Sequence, residues 1–311
     1  MNGDTHDYSR IYVAGAAGML GEAVLAACSQ HYEVEASDIA PRTDAMSFLD
    51  VADAELFAKA VDAFEPDLIV NLAAETDLEL CEHDPERAWA SNAVGAENGA
   101  RIAERLGVPY VYISTAGIFG GDQEWYSDDD VPDPLTVYAR SKLHGERFVQ
   151  QHVRRHFVLR PGWMMGGGPD LDKKFVNKVY RQIRDGATTV RAVTDLLGSP
   201  TYTHDFARGL LLVARSGHYG TYNQVGGGTA SRYDVALALV DDLGLSDQVE
   251  VVPVTSEYFA EAYFAPRPAS EQLVNARLRE RGLDVMRDWR VALEEYSEVF
   301  RRDLERHRRP R

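Results

Sequence analysis

Lysine is scarce in this chain: five residues among 311, against 28 arginines. Cysteine is scarcer still. Cys28 and Cys81 stand alone without metal-ligand spacing, which excludes a disulfide framework and predicts two packed thiols in a reducing cytoplasm. No uncharged stretch approaches the roughly 18 residues of a membrane helix, and residues 1–10 hold no apolar run, so neither a membrane span nor a secretory signal is expected. Net positive charge is also missing: a formal charge of −16 excludes a broad nucleic-acid surface. The one basic run, RRDLERHRRPR at 301–311, reads as a solvated helix tail. No carboxylate cluster names a metal site, and a homodimer is expected only because two-fold pairs are the commonest assembly.

What is present is alternation. The β-rich runs RIYVAGA (10–16), YEVEASDI (32–39), DLIVNLAA (67–74), PYVYISTA (109–116) and HFVLRPG (156–162) are separated by amphipathic stretches such as 84–106 and 137–155. That order predicts an α/β fold, a Rossmann-type doubly wound parallel sheet with helices on both faces. Further on, the pattern predicts helices near 203–216, 231–243 and 271–281, a strand at TYNQVG (221–226) and a C-terminal helix from about 288.

IYVAGAAGMLGEAVLAA (11–27) sets Gly15, Gly18 and Gly21 directly after the first strand and at the start of a helix. Glycines there allow a tight turn and let a pyrophosphate approach unpaired N–H groups at the helix N-terminus. Asp38 ends the second strand about 20 residues on, where a carboxylate accepts hydrogen bonds from an adenosine ribose and repels a 2′-phosphate. NAD(H) is therefore favoured, with NADP(H) kept open by Arg42 nearby; the competing reading of Asp38 is a plain turn residue. FLDVAD (48–53) places Asp50 at the end of a third strand, near the adenine.

YARSKLHGE (138–146) spends one of the five lysines one helical turn from a tyrosine. Tyr138 and Lys142 project from one helix face toward the strand end that carries Ser114 and Thr115. A hydroxyl, a phenol and an ammonium are the set needed to move a proton at a carbonyl oxygen, provided the phenol is drawn from about 10 toward neutrality. The alternative is a helix-surface pair.

Across almost the whole chain these blocks resemble the extended short-chain dehydrogenase/reductase superfamily. AGAAGMLG, PDLIVNLAAETDLELCEHDPERAWASNAVG, ISTAGIFGG, YARSKLHGE and LRPGWMMG follow the superfamily order, and GSPTYTHDFA and PRPASEQL resemble blocks of the dTDP-4-dehydrorhamnose reductase family. The resemblance implies Thr115 as the catalytic hydroxyl, Tyr138 as proton donor and Lys142 as its partner. It implies that Gly15, Met19, Leu20, Asp38, Leu72, Ala73, Ala74, Asn92 and Pro161 line the dinucleotide beside Gly18, Gly21 and Asp50, and that Thr76, Thr115, Trp163 and Arg267 meet a nucleotide sugar. The competing reading for Trp163 is a buried indole after a strand, and for Arg267 a guanidinium that fixes a loop. A dinucleotide-binding domain is expected over 9–162, with segments near 199–226 returning to it. Residues 163–198 and 227–311 would make a smaller C-terminal substrate-binding α/β portion. Some relatives use a divalent ion at a subunit contact.

The chain departs from the family pattern at Ala116 and Gly117, where an Asp-Tyr pair is usual, at Leu80 in place of a lysine, at Ala139 in place of a glycine, and in RPASEQL against RPxNSxL. Without a carboxylate at 116 or 117, sugar dehydration is disfavoured. The implied function is NAD(P)H-dependent reduction of a 4-keto group on a nucleotide-linked 6-deoxyhexose. A nucleotide-sugar 4-epimerase, and a dinucleotide-binding regulatory subunit like that of methionine adenosyltransferase, are the alternatives.

Overall fold

Side chains alternate across short apolar strands, and this sets the layers of the structure. In the computed structural model, which describes residues 6–29 and 31–308, β1 (Arg10–Ala14) pairs in parallel with β2 (Glu33–Asp38) on one side and β4 (Leu68–Asn71) on the other. β3 (Met46–Phe48) completes one edge of the sheet; β5 (Tyr110–Ile113), β6 (His156–Arg160) and the strand Gly220–Asn223 extend the other, all in parallel. Ile11, Val13, Val70, Val111 and Phe157 face the helices Met19–Cys28 and Thr203–Arg215. Tyr12, Ile69, Tyr110, Tyr112 and Val158 face the opposite layer, built from the helices Ala54–Phe64, Gly95–Leu106 and Val137–His152. The chain order reverses between β1 and β4, and open parallel sheets bind ligands in the crevice at such a point, beyond the carboxyl ends of the strands.

A further core gathers Val179, Tyr180, Val190, Leu239, Leu293 and Phe300. It is built by the helices Phe175–Arg184, Arg232–Asp242 and Trp289–Arg308 with the parallel pair Thr189–Val193 and Glu250–Val254. Cys28 and Cys81 are buried and unpaired, and burial pushes both thiols up to about 12, so neither is a nucleophile. Among the described residues no helix is long and apolar enough to cross a membrane. Of the arginine-rich tail, residues 301–308 continue the last helix, and 309–311 lie outside the described residues.

Tertiary contacts override three local readings. Only Ala276–Glu280 is helical within 271–281, because Ser270–Glu271 pairs as a strand with Leu197–Gly198 and the buried Gln272 amide donates to the Glu124 carbonyl at 2.9 Å. β3 ends two residues before Asp50, whose carboxylate accepts the Ala52 N–H at 2.9 Å and turns the chain toward the Asp53 cap of the next helix. The stretch 84–106 is interrupted by a π-turn, Ala90–Val94, of the kind that marks functional positions in helices.

Candidate active site

One cavity of about 1680 Å³ opens along the carboxyl ends of the strands. A drug-sized ligand occupies about 300–1,000 Å³ of pocket, so this space suits two ligands side by side. Four of the five lysines, Lys142, Lys173, Lys174 and Lys178, line it. In a chain of net charge −16 this concentration is a binding signal for anions.

The glycine turn forms one wall. Gly15 has φ +77°, and a Cβ there would fall 2.4 Å from the Ala73 nitrogen; at Gly21 a Cβ would fall 2.2 Å from the Ala16 carbonyl oxygen. The bare backbone therefore lets the turn after β1 close on the start of the segment after β4, and lets the helix Met19–Cys28 pack on the turn itself. Gly18, Met19 and Leu20 turn their unpaired helix N-terminus to the cavity, and Leu72, Ala73, Ala74 and Pro161 line it as well. Asp38 lies on the same wall with Arg42; its carboxylate accepts the Ala17 N–H at 2.9 Å and the Ala40 N–H at 2.8 Å, which fixes it at the mouth of the turn. Asp50 reaches the wall from beyond β3.

Thr115, Tyr138 and Lys142 converge on the cavity from two elements. The helix Val137–His152 is anchored at its start by the Thr136 hydroxyl, which accepts the Ala139 N–H at 3.0 Å, and by Glu82, which accepts the Val137 N–H at 2.7 Å. Farther along, the buried Glu146–Arg160 pair, with contacts of 2.5 and 3.1 Å, ties the helix to β6. Burial pushes the Tyr138 phenol up to about 12, with the Thr115 hydroxyl pulling the other way. The expected drop toward neutrality is thus absent. Burial also draws Lys142 down to about 7, against the pull of Glu146 one turn on. The Lys142 ammonium rests 4.3 Å from the centre of the Tyr112 ring and has no hydrogen-bond partner among the described residues. The Ser114 hydroxyl, on the same wall, is buried and unpartnered too. Polar groups this costly to leave unpaired are ones a bound ligand satisfies.

Asn92 does not reach the cavity. It sits fully buried in the π-turn, where Oδ1 accepts the Glu75 N–H at 2.9 Å and Nδ2 donates to the Glu75 carbonyl and the Ser141 hydroxyl, each at 3.0 Å. It positions the segment after β4 against the Tyr138 helix rather than touching a ligand.

The other end of the cavity carries Thr76, Trp163 and Arg267, with differences from expectation. Thr76 accepts a hydrogen bond from the Lys174 ammonium at 2.9 Å. Arg267 is already engaged, with Glu79 at 2.7 Å and the carbonyls of Ala265 and Tyr263 at 2.8 and 3.2 Å, so it fixes its loop. Arg232, by contrast, has no hydrogen-bond partner among the described residues; it is stacked over Trp163 and drawn down to about 10 by burial, with Glu271 opposing. Sequence reading missed it, although one signal was there: Arg232 opens a helix, where the macrodipole favours an anion. Among the described residues no group of three or more His, Cys, Asp or Glu could hold a metal ion.

Residues 9–302 match the family described as RmlD substrate binding domain. The chain belongs to that family. A dTDP-4-dehydrorhamnose reductase of Mycolicibacterium smegmatis is 33% identical to it over 291 residues, 92% of this chain and 84% of that one. Among solved structures, dTDP-4-dehydrorhamnose reductase of Bacillus anthracis in complex with NADP superposes with a TM-score of 0.85 at 29% identity, covering 93% of this chain and 98% of that one. Methionine adenosyltransferase 2 subunit beta of Xenopus laevis is 28% identical, over 92% of this chain and 86% of its own length. A Rossmann-type sheet and a nicotinamide dinucleotide site are thus common ground between this member of the RmlD family and its neighbours.

Proposed function

We propose that the chain reduces the 4-keto group of a nucleotide-linked 6-deoxyhexose, with NADH preferred to NADPH. The observation that carries this reading is the convergence of Thr115, Tyr138 and an unpartnered Lys142 ammonium on a cavity that begins at the Gly15 turn. The residues present fit a nicotinamide dinucleotide. The N-terminus of the helix Met19–Cys28 would hold its pyrophosphate, Asp38 a ribose of the adenosine half, and Lys142 the other ribose. When bound, the reduced cofactor supplies the hydride that reaches the carbonyl carbon.

The chain's own residues manage the oxygen. Thr115 holds it, and Tyr138 gives it a proton. A phenol pushed up to about 12 stays protonated throughout the neutral range, which is the state a donor needs, and a developing alkoxide is the stronger base. Lys142, drawn down to about 7 by burial against the pull of Glu146, stabilises in its charged form the phenolate left behind. Arg232, Lys173 and Lys178 would meet the diphosphate of the nucleotide sugar, with Trp163 alongside the sugar. Residues 163–198 and 227–311 act as the substrate-binding portion in this reading, and the two free thiols support a reducing, cytoplasmic setting.

The regulatory-subunit reading rests on the Xenopus relative and makes a different prediction. Mixing the protein with NADH or NADPH and a panel of dTDP-4-keto-6-deoxyhexoses should give oxidation at 340 nm and a 4-hydroxyl product by NMR. Tight cofactor binding without oxidation by any keto-sugar would favour the binding partner.

A further inference from the structure

Glu271 is a carboxylate on the Thr115 and Tyr138 side of the cavity, and the mechanism above leaves it unused. It lines the cavity from the short strand Ser270–Glu271. Its Oε2 accepts the Trp163 indole N–H at 2.6 Å, while Oε1 has no donor among the described residues. The Trp163 ring is packed from two sides: it lies so close against bare Gly198 that a Cβ there would fall 2.3 Å from it, and Arg232 covers it at 3.7 Å. The indole thus aims the carboxylate. Burial pushes the Glu271 carboxyl up, and the Trp163 N–H with Arg232 and Arg267 draws it back toward the charged form.

Gly117 leaves the space in front of that free oxygen open. Its φ is not positive, so the backbone does not demand glycine there. A Cβ built on it would lie 3.3 Å from Glu271 Oε1 and 3.5 Å from the Thr115 hydroxyl oxygen. One small substituent in this slot can therefore reach the carboxylate while its neighbour on the ring reaches Thr115. A carboxylate only accepts hydrogen bonds.

The geometry points to Glu271 and Gly117 as a specificity slot that takes a hydrogen-bond-donating substituent, hydroxyl or amino, on the ring carbon next to the ketone. This deepens the reductase reading and rests on it. A hydrogen or a methoxy group at that carbon leaves Oε1 desolvated and unpaired, and sites of that kind reject the analogue lacking the donor strongly.

The test compares kcat/KM for matched dTDP-4-keto sugars bearing hydroxyl, amino or hydrogen at the neighbouring carbon, with NADH affinity measured in parallel. The wild-type enzyme should prefer a donor-bearing sugar over the deoxy sugar by about 100-fold or more. Which donor is preferred identifies the substituent class. Glu271→Ala should bring that ratio to within about 3-fold while NADH affinity is kept. Should this variant fail to fold, Gly117→Val fills the slot with Glu271 in place and should cut activity on the donor-bearing sugar at least about 10-fold, again with NADH affinity kept. A wild-type ratio near one, an unchanged ratio in Glu271→Ala, or full activity in Gly117→Val overturns the slot alone. Wild-type enzyme that oxidises NADH with none of the sugars overturns the reductase reading and the slot with it.

Discussion

The guanidinium carbon of Arg232 stands 3.7 Å from the centre of the Trp163 ring, with Phe175 at 5.1 Å and no hydrogen-bond partner among the described residues. A cation stacked on an indole at the start of a helix loses the macrodipole's favour and part of its hydration. Anion binding offsets both losses. Arg232→Leu should raise KM for the nucleotide sugar by about 10- to 100-fold, the loss of one or two charged hydrogen bonds, while NADH affinity stays within about 3-fold. Arg232→Lys should recover only part, since a point charge replaces a planar fork. Steady-state kinetics with the sugar varied checks it; an unchanged KM in Arg232→Leu assigns the residue to packing.

Tyr138→Phe removes the proton donor and leaves the ring in its burial. Turnover should fall by about 10²- to 10⁴-fold, with the dissociation constant for NADH within about 3-fold of wild type by fluorescence titration. Retained turnover would remove the acid assignment.

Asp38→Asn discards the charge and keeps only one of the two oxygens that accept the Ala17 and Ala40 N–H groups. The ratio of kcat/KM for NADH over NADPH should drop by at least about 10-fold, because repulsion of a 2′-phosphate goes with the charge and Arg42 on the same wall remains. An equal effect on both cofactors would count against a ribose role.

The glycine turn separates three positions that look alike in sequence. Gly15→Ala forces a positive φ on alanine and a 2.4 Å contact with backbone, and Gly21→Ala a 2.2 Å contact with a carbonyl oxygen. Gly18 has negative φ, and its nearest such neighbour is 3.9 Å away. Gly18→Ala should fold with a Tm within about 2 °C of wild type, whereas either of the others should destabilise by roughly 3 kcal/mol or more. Thermal melts of the three variants check it; a folded, stable Gly21→Ala would show that the turn can open.

The sheet was legible because its strands alternate apolar residues for two helical layers, and β1, β2, β4, β5 and β6 fall inside the runs read for them. Gly15 and Thr115 were legible because each follows a strand end, and Tyr138 with Lys142 because they stand one turn apart on the helix that comes next. Elsewhere the deciding contacts are far apart in the chain. Glu271 meets Trp163 across 108 positions, so its stretch reads as helix locally and folds as strand. Asn92 has the composition of a ligand contact, and only the packing of Glu75 and Ser141 around it shows a brace. Arg267 and Arg232 differ not in type but in which carboxylates lie within reach, and pattern carries no record of that.

Lys142 carries a consequence for stability with a definite sign. Burial draws it from 10.5 down to about 7, with Glu146 pulling back. Between those values the unfolded chain holds a proton that the folded protein has released, so stability rises with pH across the window. Below about 7 the folded protein bears the full desolvation penalty of the ammonium, and near 10.5 it bears none. Lys142→Met, similar in shape, should therefore stabilise the cofactor-free protein most at pH 6.5 to 7, by about 2–4 °C in Tm for each kcal/mol relieved. The gain should shrink steadily to within about 1 °C at pH 10, where lost contact with the Tyr112 ring is the remaining difference. Paired melts at pH 6.5, 8 and 9.5 decide it, and a gain that grows with pH would mean that the lysine is held charged by a partner and not strained by its burial.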